Sequence, residues 1–302
     1  MLQNKFYRKR SAWTNQRWWI NAFAGALIGI CFFTVNTSQA DELQSVKVIN
    51  WNVLYGFNHG QSRTEGSRWI SDQEPDIVAL QELNGITEKD LLEQAKKWGH
   101  AHAVTHKENG FPVGLTSRWP IQVLERKSKG FHHGYLHCKT RDIHFFVVHF
   151  WPGKYHEMDS ILERVRPLLS ENKSVVILGD FNGCSRKDET YLVENATQRE
   201  RDYIYVDKLE AEHFVDLVSK HDPNAKVSCP SPITIPRWSS DLEDLRTKRY
   251  RIDFIFADES FAKRSKSGTI LLDQEVEKVS DHYPVMVEFL VSVDGAASAD
   301  KE

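Results

Sequence analysis

From Val46 onward the chain alternates short apolar runs with polar loops: VKVIN, DIVAL, VGLTS, IQVLE, HFFVVHF, SVVILG, IDFIFA and PVMVEFLVSV. Each run is too short for an ordinary helix and is rich in Val, Ile and Phe, which suit a pleated, half-buried surface. They predict strands, enough for two sheets. Two segments carry helical spacing instead. In TEKDLLEQAKKWG, Thr87 can cap, Asp90 completes a capping box, Leu91, Leu92, Ala95 and Trp98 form one stripe, and Gly99 can end the helix. In EMDSILERVRPLLSEN, Ile161, Leu162, Val165 and Leu169 form a second stripe. Pro167 predicts a kink or an early end there, because it lacks the N–H and clashes with the preceding turn.

The pattern changes at the N-terminus. Residues 1–19 carry five basic residues and no acid, residues 20–35 are almost wholly apolar, and NTSQA precedes Asp41. This reads as a cleaved export signal over 1–40, with cleavage after Ala40. An uncleaved anchor is the alternative, since the run from Trp18 to Val35 has the ~18 residues of a candidate span. A lipoprotein is disfavoured because Ile30, not a small residue, precedes Cys31. Either way the expected location is outside the cytoplasm: periplasmic, extracellular or membrane-anchored, with membrane contact only if the segment stays. The remainder of the chain reads as one domain, residues 41–293, without repeat or long linker, and a polar tail, 294–302.

The chain holds 39 basic and 42 acidic residues, a net −3; without the first forty residues, which hold five of the bases and none of the acids, the charge is about −8. That argues against a nonspecific polyanion binder, so nucleic acid is an allowed partner that the charge does not favour. RTKRYR, 246–251, is the best local basic run and reads equally as a solvated loop. Cys138, Cys184 and Cys229 remain after cleavage, compatible with one disulfide plus a thiol, the pairing being open. Cys184 could be a redox-sensitive thiol, though a packed or disulfide-bonded cysteine is favoured.

The chemistry is concentrated where strands stop. Asn52 ends VKVINWN, Glu82 ends DIVALQE, His149 ends HFFVVH, Asp180 ends VVILGD with Asn182 beyond, and RIDFIF and SDHYP supply Asp253, Asp281 and His282. Any one of these is an ordinary turn or cap residue. Together, Glu82, Asp180, Asp253, Asp281, Asn52 and Asn182 are hard oxygen donors of the kind that suits Mg²⁺, Mn²⁺ or Ca²⁺. The histidines lack zinc spacing, and His132 and His133 read as a loop feature. No G-x-S-x-G elbow or P-loop occurs, which leaves water activated beside a divalent ion as the better chemistry.

INWN, DIVALQEL, GLTSRWPI, VVHF, VILGDFNG, RIDFIF and SDHYPV, in that order, resemble the endonuclease/exonuclease/phosphatase superfamily, over about Val46 to Phe289. The resemblance implies an α+β, four-layer α/β/β/α sandwich of two mostly antiparallel sheets, DNase I-like, with a site at one edge. It implies that Glu82, Asn52 and Asp281 belong to the metal site, that His282 is the general base and Asp253 its orienting partner, that Asp180 and Asn182 position water and phosphate, and that His149 contacts the phosphate. Mg²⁺ is the implied cofactor, with Mn²⁺ or Ca²⁺ as alternatives, and a phosphate ester the implied substrate. Glu108 sits roughly where nucleases of this family carry an acid that supports His149, against a surface acid; Arg251 and Trp238 could touch substrate, against a structural salt bridge and a packed indole. VVHFWPG departs from the commoner THL pattern, so the loop through FWPGKYH could contact the leaving group. Three functions stand open: an exported metal-dependent phosphoesterase, a secreted nuclease, and a binding module that has lost catalysis.

Overall fold

The computed structural model describes residues 43–195 and 200–293. The expected signal or anchor, the polar tail from 294 and residues 196–199 lie outside them. Among the described residues, twelve strands form two sheets of six. In chain order they are β1 (Leu43–Asn52), β2 (Ile77–Gln81), β3 (His102–Thr105), β4 (Gly114–Ser117), β5 (Gln122–Lys127) and β6 (Tyr135–Thr140). Then come β7 (Ile143–His149), β8 (Ser174–Asp180), β9 (Phe214–Asp216), β10 (Asp253–Asp258), β11 (Ser265–Ile270) and β12 (Val285–Ser292). The first sheet runs β11-β12-β1-β2-β4-β3 and the second β5-β6-β7-β8-β10-β9. Ten strand pairings make up these sheets, and only β1 with β2 and β7 with β8 run parallel.

Period-two alternation places the second sheet between two apolar layers. Phe145, Val147, Val176, Leu178, Ile255 and Ala257 join the first sheet in the central core. Their neighbours Phe146, Val148, Val175, Ile177, Phe254 and Phe256 face outward onto Met158, Ile161, Leu162 and Val165. These four belong to the helix His156–Ser170, and the arrangement explains why β7 and β8 read as unbroken apolar runs. The fold is the expected α+β four-layer sandwich.

Two local expectations meet the structure differently. The helix Glu88–Ala95 carries the capping box: Thr87 accepts from the Asp90 N–H and Asp90 from the Thr87 N–H. Pro167 does not end its helix early; the helix continues to Ser170. A proline so near the C-terminus removes one backbone bond, while Leu168 and Leu169 still pack against the outer core.

Candidate active site

Strand register builds the site. β7 and β8 align His149 with Asp180, and β8 and β10 align Asp180 with Asp253, so the three residues form one row across the end of the second sheet. That alignment needs Gly179, because a Cβ there would stand 1.9 Å from the Val148 carbonyl oxygen. In the first sheet Asn52 is level with Gln81, which brings Glu82 alongside, and Asn50 faces Val285, which brings the SDHYP turn next to the end of β1.

Asn52 joins the two sheets. Its Oδ1 accepts from the Leu54 N–H at 3.2 Å, so its Nδ2 faces two carboxylates, Glu82 Oε1 at 3.2 Å and Asp180 Oδ2 at 3.0 Å. The Tyr55 N–H donates to the other Glu82 oxygen at 3.0 Å. Asn52 therefore presents its nitrogen to the acids and positions them, as the amide beside Glu82. Glu82 has φ +58° and Asn182 φ +47°. Asn tolerates the left-handed region, but for Glu82 the strain marks a side chain placed against local preference. Asp180 also accepts from the Asn182 N–H at 2.9 Å, and the Asn182 amide donates to the Phe150 carbonyl at 3.1 Å.

The His282 ring is held from several directions. Its Nδ1 lies 2.8 Å from Asp253 Oδ2, an oxygen that also accepts from Ser228 Oγ at 2.7 Å. The His282 N–H donates to Ser280 Oγ, and Trp51 Nε1 donates to the His282 carbonyl at 2.8 Å. Nε2 is left facing the site, 3.7 Å from Asp180 Oδ2 and 4.0 Å from Asp281 Oδ1. His149 Nε2 approaches the same Asp180 oxygen at 3.4 Å.

The electrostatics are those of crowded negative charge. Burial pushes the Asp281 carboxyl up to about 6; His282 opposes the shift, while Glu82 and Asp180 add to it. Burial likewise raises Asp253. Burial alone would lower His282, but Asp253, with Asp180 and Asp281 behind it, holds the imidazole well above its ordinary value. Glu82 and Asp281 fit a hard divalent cation: both offer oxygens, and Glu82 keeps lone pairs beyond its two N–H partners. A positive ion there would relieve the repulsion that the burial creates.

Two expected contacts are not made. Arg251 is 1% exposed, with Nε 2.8 Å from Asp188 and Nη2 2.7 Å from Asp216, so it is a buried structural ion pair and not a substrate contact. Glu108 is exposed and accepts from the Glu88 N–H at 3.4 Å; it does not support His149, whose Nδ1 has no hydrogen-bond partner among the described residues. That histidine is instead stacked on His133 at 4.2 Å between centroids, with Phe111 edge-on at 6.1 Å. Trp238 is 47% exposed, on the loop after Ser231, whose N–H donates to the Asp281 carbonyl. Asn182 also borders a cleft of about 510 Å³ with Trp151, Tyr155, Glu200 and Asp202, which puts the FWPGKYH loop beside the site.

The sequence reading missed Ser228, Ser280 and His133. A serine has no periodic signature, and the adjacent histidines were legible only as a pair in a loop. Cys138, Cys184 and Cys229 are all buried, and Cys138 and Cys229 are free thiols.

A family model described as the Endonuclease/Exonuclease/phosphatase family matches residues 49–282, a span that begins at Ile49 and ends at His282, inside the two outermost motifs. The chain belongs to the endonuclease/exonuclease/phosphatase family. It is accordingly a phosphoric ester hydrolase of a divalent-metal-dependent family. Among solved structures it is similar to an AP endonuclease from Archaeoglobus fulgidus, at 20% identity and TM-score 0.59, covering 81% of this chain and 99% of that one. It is similar also to the 3' phosphatase NExo from Neisseria bound to product DNA hairpin, at 19% identity and TM-score 0.64, with coverage of 81% and 99%. The 3'-5' exonuclease NExo from Neisseria meningitidis matches at 19% identity and TM-score 0.61, with coverage of 81% and 99%. These likenesses are likenesses of fold. A search of curated proteins returned no match.

Proposed function

We propose that the protein is an exported phosphoesterase, a phosphodiesterase first and a phosphomonoesterase as the alternative, that hydrolyses its substrate by in-line attack of water, with Mg²⁺ as cofactor and Mn²⁺ or Ca²⁺ as alternatives. The observation that carries this reading is the convergence of His282 Nε2, backed by Asp253 at 2.8 Å, on the same Asp180 oxygen that Asn52 and His149 approach. Glu82 and Asp281 would hold the cation, which when bound supplies charge to a phosphoryl oxygen. His282 Nε2 takes a proton from the water, and Asp253 fixes the tautomer at Nδ1 and stabilises the imidazolium. Asp180 accepts the water's other hydrogen bond and sets its direction of approach. Asn182 supplies an amide donor to a phosphoryl oxygen, where a carboxylate would repel it. His149 stands on the leaving-group side, beside the Trp151 loop.

A nuclease is the second reading, favoured by the product DNA hairpin held by one structural neighbour. The −8 charge of the chain without its first forty residues weighs against it. The deciding experiment is hydrolysis by purified protein, stripped of metal and then given Mg²⁺, Mn²⁺ or Ca²⁺, on plasmid DNA, RNA, sphingomyelin, a phosphodiester dye and inositol phosphates. Metal-dependent cleavage of one class, absent in His282→Ala, names the substrate. Cleavage of DNA that falls steeply with salt selects the nuclease. No cleavage of any substrate by folded protein rejects the phosphodiesterase reading for these classes and favours a binding module. Export is tested by the N-terminus of protein recovered from the producing cells: one beginning at Asp41, outside the cytoplasm, supports it, and an intact Met1 in the cytoplasm rejects it.

A further inference from the structure

One group in the site has a chemistry the oxygen donors do not share. Ligand atoms of Cys229, Asp281 and His282 all lie within 4.8 Å of one another. The three side chains are buried, and Cys229 is a free thiol. Its position is fixed by the backbone on both sides. Cys229 and Tyr250 exchange N–H to carbonyl bonds at 3.1 and 2.8 Å, Tyr283 N–H donates to the Ser228 carbonyl at 2.7 Å, and Ser231 N–H donates to the Asp281 carbonyl at 2.8 Å. Ser231 Oγ donates to the Ser280 carbonyl at 2.6 Å, tying the cysteine segment to the turn that carries Asp281 and His282.

A hard ion such as Mg²⁺ has little use for sulfur, whereas thiolate, imidazole and carboxylate together are the set that Zn²⁺ and Cd²⁺ prefer. The His282 ring is already arranged for such a bond. Nδ1 is engaged with Asp253, which leaves Nε2 as the metal-facing nitrogen, and a carboxylate behind a histidine is the usual support of a metal-bound imidazole.

We propose that Cys229, Asp281 and His282 form an inhibitory site for a thiophilic divalent cation, Zn²⁺ above all, overlapping the catalytic centre. An ion bound there occupies the nitrogen that would take the proton and shares Asp281 with the activating cation, so it is both a block and a competitor. The inhibitory half of this inference rests on the phosphodiesterase reading; the binding half does not.

The test uses the full-length protein, stripped of metal and titrated with Cd²⁺ while the ultraviolet cadmium–thiolate charge-transfer band is followed. The wild type is expected to give the band at one equivalent, Cys229→Ser and Cys229→Ala to lose it, and Asp281→Asn to need at least about tenfold more Cd²⁺. No band in the wild type, or a band that survives in both Cys229 variants, overturns the site. Zinc inhibition is then measured with Mg²⁺ present, each variant against its own zinc-free rate. The half-inhibiting zinc concentration should rise about tenfold or more in Cys229→Ser, and equal inhibition of both proteins overturns the inhibitory role. Failure of all hydrolysis would count against the proposed function, while the absorbance still decides whether the site exists.

Discussion

Two clusters of buried charge lie close together in this chain, one behind Arg251 and one in front of Asp253. In the first, Arg251 is matched by Asp188 and Asp216, and Lys226 adds a second cation to Asp188 at 2.7 Å. In the second, Asp180, Asp253 and Asp281 are buried and Glu82 half-buried, with no Lys or Arg ion pair to them among the described residues, only imidazole contacts. The residue types are the same and the burial is similar. What separates a structural ion cluster from a reaction site is charge balance: the first is complete in itself, while the second leaves room for a cation. RID spans the boundary, which is why its arginine and its aspartate look alike in sequence and belong to different clusters in space.

The largest effects that would break this comparison lie in the unbalanced cluster. Replacing His282 or Glu82 by Ala should lower turnover by about 10³-fold or more with the fold intact by circular dichroism; a rate near wild type in either would reject the site. Arg251→Met in the balanced cluster should instead destabilise by about 3–5 kcal/mol, because buried Asp216 loses its cation and Asp188 keeps only Lys226. Urea unfolding measures this, and an unchanged midpoint would show that the cluster is not the structural element described.

Acidification probes histidines outside both clusters. His100 and His106 are held neutral by burial, each lowered to about 4. The unfolded chain takes up these protons near 6.5 and the folded chain only near 4, so stability is full above 6.5 and is lost as pH falls through 4. Each contributes up to about 3 kcal/mol to that loss. A His100→Phe variant should flatten the stability profile between pH 6.5 and 4; an unaltered slope would remove His100 from the account.

Asp281→Asn sharpens the contrast with a smaller effect of opposite sign. Removing one of several crowded carboxylates should raise the stability of metal-free protein by about 1–2 kcal/mol while weakening metal binding. The pair of observations, a higher melting temperature without metal and a smaller rise on adding Mg²⁺, is checked by thermal unfolding. Trp238→Ala should move stability by less than about 0.5 kcal/mol, since the indole is half exposed. A change confined to KM would make Trp238 a substrate contact; no change at all would leave it a surface residue.

Much of the fold was legible because its signal is local. β7, β8 and β10 are apolar on both faces and their composition shows it, whereas β3, β6, β9 and β11 escaped because they are short or carry polar residues among their apolar ones. Thr87 and Asp90 announced their capping box for the same local reason. Pro167 misled, since its cost depends on how much helix lies beyond it and on what Leu168 and Leu169 touch. Glu108 misled because an acid near a motif does not reveal which backbone N–H it will meet. Asn52 was legible as a polar strand end, but which end of its amide faces the acids depends on Leu54 and on a strand of the other sheet.

The sequence by itself determined the apolar strands, the family, and the polar residues at which those strands stop, because periodicity, chain order and residue type are properties of the string. Tertiary structure alone decided which of those residues meet. Asp180 and His282 are far apart in sequence and 3.7 Å apart in space because β8, β10 and the turn before β12 end at one edge. It also decided that Arg251 is sealed inside and that Cys229 stands beside His282. Burial and partnership are set by residues distant in the chain, and no local pattern records them.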